Sequence, residues 1–230
     1  MRKIFLDCGA HEATSVKRFK KEYPGSKEYE IYSFEGMIKC EKSFKKYPDV
    51  KFKNNLVWIE DGAREFYVNG REGSSVYKDK AERRGSGGKG KLSVKPETVK
   101  SIDFDRWIKE EFNKDDYIIL KMDIEGAEYE VVEHMIKNGS ISYIDKLYIE
   151  WHRVKVKEIT VERHLDLLES LADLNIVPYH WSHTSKSLDS IATSKRNIVR
   201  NEKDIKDFEQ YQDRYDRICE RFKELHNKNV

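Results

Sequence analysis

The chain has 230 residues, four prolines and a formal charge of +2, with 44 Lys and Arg against 42 Asp and Glu. The length suits one α/β domain with an appendage, and the near balance of charge gives no argument for a polyanion partner. The three cysteines are far apart and odd in number, which excludes a CxxC metal pattern and a disulfide framework and favours a reducing compartment.

In chain order, "MRKIFLDCGA" opens with an apolar stretch too short for a signal peptide. No run approaches the ~20 apolar residues of a membrane span, so a soluble, cytoplasmic chain is expected. Strands are predicted over 4–7, 30–35, 50–58, 117–123, 146–151 and 176–180, with a candidate last strand over 197–200. Helical patterns lie between them, over 14–21, 37–47, 103–112, 129–138 and 161–174, the fourth stopped by Gly139. The runs "IFL", "YIIL" and "LYI" are continuously apolar, as strands covered on both faces should be. Such strand–helix alternation predicts an α/β fold with a doubly wound, mostly parallel sheet.

Two segments break the alternation. Residues 78–96, "KDKAERRGSGGKGKLSVKP", hold four glycines and seven cationic residues against two acidic ones. That composition predicts a mobile basic loop, either a solvated linker or a lid over an acidic or hydroxyl-rich substrate. In the tail, Phe208, Tyr211, Tyr215, Ile218, Phe222 and Leu225 form a heptad seam on an otherwise charged stretch. A C-terminal amphipathic helix at 201–230 is therefore expected beyond a main domain at 1–200. Docking on the chain's own sheet is the first expectation, and homodimerisation through this helix the second.

The first turn, "LDCGAHEAT", follows a strand and opens a helix, as nucleotide-type cofactor sites do. A dinucleotide site needs G-x-G-x-x-G to cradle a pyrophosphate. Here Gly9 stands alone, and Glu12 would oppose an anion at the helix start. No P-loop occurs either. A cofactor without phosphates fits better, and S-adenosylmethionine offers a sulfonium, an ammonium and a ribose diol. Asp7 could act on its amino-acid part, directly or through water, while the Gly9 turn admits close backbone approach. Glu35, closing the next strand, can accept hydrogen bonds from both ribose hydroxyls.

The stretch "IILKMDIEGAEYEVVEHMI" runs from a buried strand through Lys121, Asp123 and Glu125 into a helix. Charged groups at a strand's carboxyl end occupy the crevice where open α/β sheets bind ligands. Placing them there costs desolvation that structure alone does not require. For Glu125 and Glu128 the competing explanation is pairing with the helix N-terminus.

With these residues the sequence resembles the FkbM-type family of class I S-adenosylmethionine-dependent O-methyltransferases. The likeness is carried by "FLDCGAHEAT", "IYSFEG", "SIDFDRWI", "IILKMDIEGAEYEVVEHM" and "LYIEWH", over roughly residues 4 to 152, and the K-x-D-x-E-G-A-E block is the specific one. The resemblance implies a Rossmann-like seven-stranded sheet with an antiparallel last strand. It implies cofactor roles for the turn at Asp7, Gly9, Ala10 and His11 and for Glu35 and Gly36, with Asp123 and Glu125 beside the reacting centre. Two positions depart from the family: Ala13 stands where a further glycine is usual, and Gly36 where a proline follows the acid.

Methyl transfer to a sugar hydroxyl needs in-line alignment and a base within hydrogen-bond reach. Asp123 is the first choice of base and His152 the second, with Glu150 orienting His152. Lys121 either stabilises the deprotonated oxygen or pairs with a neighbouring acid. Asp123, Glu125, Glu150 and His152 also form a candidate set for Mg²⁺ or Mn²⁺. His180, Trp181 and His183 follow the sixth strand, where Trp181 could stack on a sugar. The expected function is O-methylation of a sugar, glycan or small hydroxylated metabolite. A nucleic-acid 2′-O-methyltransferase is the first alternative, disfavoured by near-neutral charge and the lack of an aromatic RNA-binding signature. A non-catalytic binding module on the same fold is the second.

Overall fold

A computed structural model describes residues 1–69, 73–82, 92–181, 190–199 and 201–229. The core begins with β1 (Lys3–Cys8), whose Ile4, Phe5 and Leu6 are wholly buried, followed by α1 (Thr14–Glu22) and β2 (Tyr29–Phe34). Phe5 pairs in register with Ile31, and Leu6 with Tyr32. Successive strand side chains point to opposite faces. One face accordingly meets α1, where Phe5 stacks on Phe19 with centroids 3.9 Å apart.

The predicted strand at 50–58 is two strands. β3 (Val50–Lys53) joins β2, and β4 (Leu56–Trp58) leaves for a second sheet. The break falls at an asparagine pair, and Asn54 Nδ2 donates to the carbonyls of Glu35 (2.8 Å) and Gly36 (2.9 Å), pinning the end of β2. The second sheet, in the order β4–β6–β5, contains β5 (Gly62–Val68) and β6 (Lys95–Asp103), neither of which was predicted. Between them lies α2 (Lys78–Ala81).

The mobile-loop expectation for 78–96 needs correction at both ends. Ala81 and Lys80 are buried, Lys95 begins β6 by pairing with Val68, and Leu92 N donates to Glu82 O. Residues 83–91 of that segment lie outside the described residues.

Next come α3 (Phe104–Glu111), capped by Asp103 accepting from Arg106 N, then β7 (Tyr117–Met122), α4 (Glu128–Asn138) and β8 (Lys146–Ile149). Trp107 of α3 meets Tyr32 edge-on, so α3 covers the face opposite α1. α5 (Val161–Asp173) and the short β9 (Pro178–Tyr179) complete the main sheet. Its six described strands run parallel in the order β3–β2–β1–β7–β8–β9, as a doubly wound fold requires. At the β9 edge, where a seventh antiparallel strand was expected, Tyr179 makes one antiparallel bridge to Ile191.

The candidate strand at 197–200 is not formed over its described part, since Lys195–Asn197 is a 3₁₀ turn; Arg200 lies outside the described residues. Trp181 is wholly buried against Phe5 and Tyr148, so it packs the core and cannot stack on a sugar.

The tail forms two helices, α6 (Glu202–Glu209) and α7 (Gln212–Asn229). Phe208, Ile218, Phe222 and Leu225 of the seam are buried within the chain, and Arg214 reaches Asp166 and Glu169 of α5. The tail thus docks on its own chain, mainly on α5, with His226 of α7 meeting Tyr179 of β9. No helix among the described residues is long and apolar enough to cross a membrane.

Candidate active site

The carboxyl ends of β1, β2, β7 and β8 open into a cleft of about 610 Å³. The turn after β1 forms its floor. Gly9 and Ala10 donate their N–H groups to Phe34 O, both at 3.0 Å, tying the turn to the end of β2. Gly9 has φ +79°, and a Cβ there would stand 1.8 Å from the carbonyl oxygen of Asp123. No side chain fits between these two backbones. His11 and Ala13 are also left-handed, at φ 43° and 63°. Ala13 thus holds a backbone conformation that favours glycine.

Glu35 lies at the cleft wall and is nearly buried. Its Oε2 accepts from His11 N and its Oε1 from Met37 N, each at 2.8 Å. Burial pushes its carboxyl up, against the pull of those two N–H groups. Gly36 lets Leu56 and Phe66 approach the same wall.

Lys121 is fully buried. It donates to Gly9 O (2.9 Å) and stands 3.2 Å from Asp7 Oδ1 and 3.6 Å from Asp123 Oδ2. Burial alone would lower its pKa, but Asp7 and Asp123 outweigh that and hold it at about 12. Asp7 is wholly buried and is not among the residues that line the cleft, so no direct contact with a cofactor is displayed for it. Its charge faces the Lys121 ammonium.

Beyond β7, Asp123 and Glu125 enter the cleft. Glu125 is left-handed at φ 58°, a strained conformation for a side-chain-bearing residue. The loop is held by Glu128 at the start of α4, whose Oε1 accepts from Ile124 N and whose Oε2 accepts from Gly126 N, both at 2.9 Å. Glu128 is therefore a loop clamp, wholly buried. Asp123 is pushed up by burial, but Lys121, His152 and Lys155 hold it below the ordinary carboxylate range.

β7 and β8 pair with Met122 opposite Ile149, which brings the residues after each strand together. His152 Nδ1 lies 3.0 Å from Glu128 Oε1. A carboxylate there keeps a proton on Nδ1 and turns Nε2 toward the cluster. Nε2 stands 3.2 Å from Glu125, 3.6 Å from Glu150 and 3.8 Å from Asp123. The four residues predicted from sequence are thus assembled. His152 itself is nearly inaccessible and sits behind the three carboxylates that line the cleft.

Two features were not foreseen. Lys80 of α2 is buried in this cluster, bound to Glu125 Oε2 and donating to Gly73 O at 3.2 Å. Lys155 and Arg196 add positive charge along the cleft lining. Position in a polar, basic stretch hid Lys80, since composition alone marks such residues as solvated. His180 lies outside the cleft lining, and His183 lies outside the described residues.

The fold is an α/β doubly wound parallel sheet whose cleft opens at the carboxyl ends of its central strands, the place where such sheets bind ligands. A family model, the methyltransferase FkbM domain, matches residues 7–177, and the chain belongs to this methyltransferase family. Searches of the curated proteins and of the solved structures returned no match.

Proposed function

We propose that the chain is an S-adenosylmethionine-dependent O-methyltransferase acting on a hydroxyl of a sugar, glycan or other small hydroxylated metabolite. The observation that carries this reading is the backbone contact between the Gly9 turn and Asp123, with Glu35 on the adjoining wall. A cofactor held by the turn would lie next to the acid that receives the acceptor. The residues fit that cofactor: Glu35 is a buried carboxylate with capacity left for two ribose hydroxyls, and a glycine keeps the turn open. S-adenosylmethionine supplies an electrophilic methyl group on a sulfonium.

Asp123 orients the acceptor hydroxyl and takes its proton as attack proceeds. Its depressed pKa keeps it ionised near neutral pH. Lys121 positions it from behind, and His152 holds its other side. Asp123→Asn should keep the melting temperature and the affinity for S-adenosylhomocysteine while lowering methyl transfer about 10²–10⁴-fold. Radiolabel transfer to a panel of hydroxylated acceptors measures this. Transfer by Asp123→Asn at the parental rate would remove Asp123 from the base role.

A second reading, in which Mg²⁺ or Mn²⁺ activates the hydroxyl, is favoured by the approach of His152 Nε2 to three carboxylates. It predicts loss of activity on chelation and recovery with added metal, whereas the first reading predicts neither.

A further inference from the structure

Eight Asp, Glu, Lys and Arg side chains line the cleft, and six of them already face a partner. Glu35 accepts two backbone N–H groups, and Lys121 stands between Asp7 and Asp123. Lys80 binds Glu125, and Glu150 Oε1 lies 3.6 Å from His152 Nε2. The other two are Lys155 and Arg196. Among the described residues, neither the ammonium of Lys155 nor the guanidinium of Arg196 makes a hydrogen bond or an ion pair.

Both cations are carried on anchored backbone. Lys155 N donates to His152 O at 2.8 Å, and the next residue, Val156, packs so closely on the Asp123–Gly126 loop that a Cβ at Gly126 would stand 2.5 Å from it. Arg196 lies in the 3₁₀ turn Lys195–Asn197, followed by the wholly buried Ile198. Buried Arg153, in the same short turn as Lys155, donates to Ile198 O and to Asp204 Oδ1. One arginine therefore ties the segment bearing Lys155 to the segment bearing Arg196.

This wall adjoins the reacting centre. Burial raises the Asp123 carboxyl, and Lys155 is, after Lys121 and His152, one of the charges that hold it down. The Lys80 ammonium also feels the wall: burial first, and then the charge of Lys155, lower it to about 7. Positive charge without a counter-ion, gathered along a cleft, attracts and orients a negative ligand. A neutral sugar would leave both cations unmatched, whereas phosphate or carboxylate oxygens would accept from the Arg196 fork and the Lys155 ammonium.

We propose that the methyl acceptor is anionic: a hydroxylated molecule whose phosphate or carboxylate oxygens are held by Lys155 and Arg196 while its hydroxyl meets Asp123. Lys155 and Arg196 then set specificity at the acceptor end of the cleft. This inference deepens the proposed methyltransferase reading and rests on it.

The test titrates the parent, saturated with S-adenosylhomocysteine at low ionic strength, with inorganic phosphate, acetate and glucose. The amide signals of Lys155 and Arg196 are followed by ¹H–¹⁵N NMR. Phosphate or acetate should shift them saturably, and glucose should bind more weakly than the better anion. Lys155→Met and Arg196→Met should each lower anion affinity by roughly tenfold, the loss of one charged contact. Lys155→Gln and Arg196→Gln replace a Met variant that melting curves show to be unfolded. Lys157→Met is the control, since that exposed lysine is already paired with Asp79 and its loss should change nothing. A response to phosphate alone points to a phosphorylated acceptor, and a response to acetate alone to a carboxylated one; either supports the proposal. It is overturned if neither anion gives a saturable response, if glucose binds as tightly as both, or if the folded variants bind the anions as the parent does. Calorimetry with S-adenosylhomocysteine on the same samples keeps the two readings apart. A parent that binds it but neither anion contradicts this inference alone. A parent that does not bind it contradicts the methyltransferase reading, and the anion titration without it still decides whether this wall is an anion site.

Discussion

Glu128 Oε1 faces His152 Nδ1 at 3.0 Å while accepting from Ile124 N, and its Oε2 accepts from Gly126 N. One buried carboxylate therefore shapes the Asp123–Gly126 loop and orients the histidine behind it. The specific sequence block K-x-D-x-E-G-A-E thus places its last acid in a structural role that serves its first.

Replacing that carboxylate should be felt in both places. Glu128→Gln turns one acceptor into an NH₂ group that faces a backbone N–H or the imidazole N–H. A buried donor without an acceptor costs about 1–3 kcal/mol. Denaturant unfolding should show that loss, and imidazole ¹⁵N shifts should show Nδ1 protonation in the parent and its weakening in the variant. Parental stability together with unchanged shifts would contradict the clamp.

Two positions in the first turn should respond to very different degrees. Gly9→Ala pushes a methyl against the Asp123 carbonyl, so it should destabilise the fold and abolish cofactor-analogue binding. Ala13→Gly relieves a left-handed alanine, worth about 1–2 kcal/mol. It also removes a buried methyl worth about 0.8 kcal/mol and frees the unfolded chain by about 0.5–1 kcal/mol. The contributions nearly cancel, and stability should change by less than about 1 kcal/mol. Thermal melts of the two variants decide whether the turn is as constrained as described.

Burial raises the Glu35 carboxyl above its ordinary value of 4.5. A ribose diol is best accepted by the ionised form, so analogue affinity should be full above the raised pKa and decline as pH falls through it. Ligand-free stability should run the other way. The folded state holds the proton more tightly than the unfolded one, so stability is lost as pH climbs from the ordinary value through the raised one. Calorimetry and melting curves across the acidic range should show these opposed slopes in the parent and neither in Glu35→Gln. Parallel slopes would mean that Glu35 does not touch the ligand.

Much of this was legible in the sequence because burial on both faces leaves a continuous apolar run. β1, β2, β7 and β8 carry that signature, and with them came Gly9, Glu35, Asp123, Glu150 and His152 at the right ends. β5 and β6 did not carry it. Their strands, "GAREFYV" and "KPETVKSID", are largely exposed and charged, so periodicity had little contrast to report. The run at 50–58 read as one strand because Asn54 breaks it through side-chain hydrogen bonds that sequence does not display. Lys80 was hidden for the reason that makes it informative: a lysine amid glycines and charges reads as solvated, and only tertiary structure reveals one buried among acids.

The central claim is that this cleft holds S-adenosylmethionine with its ribose on Glu35. Isothermal titration of the parent and of Glu35→Ala with S-adenosylhomocysteine tests it most directly. The account predicts a clear binding isotherm for the parent. For the folded variant it predicts an affinity lower by roughly ten- to a hundredfold, the loss of a charge-assisted contact worth about 1.5–3 kcal/mol. A parent that does not bind, or a variant that binds equally tightly, would contradict it.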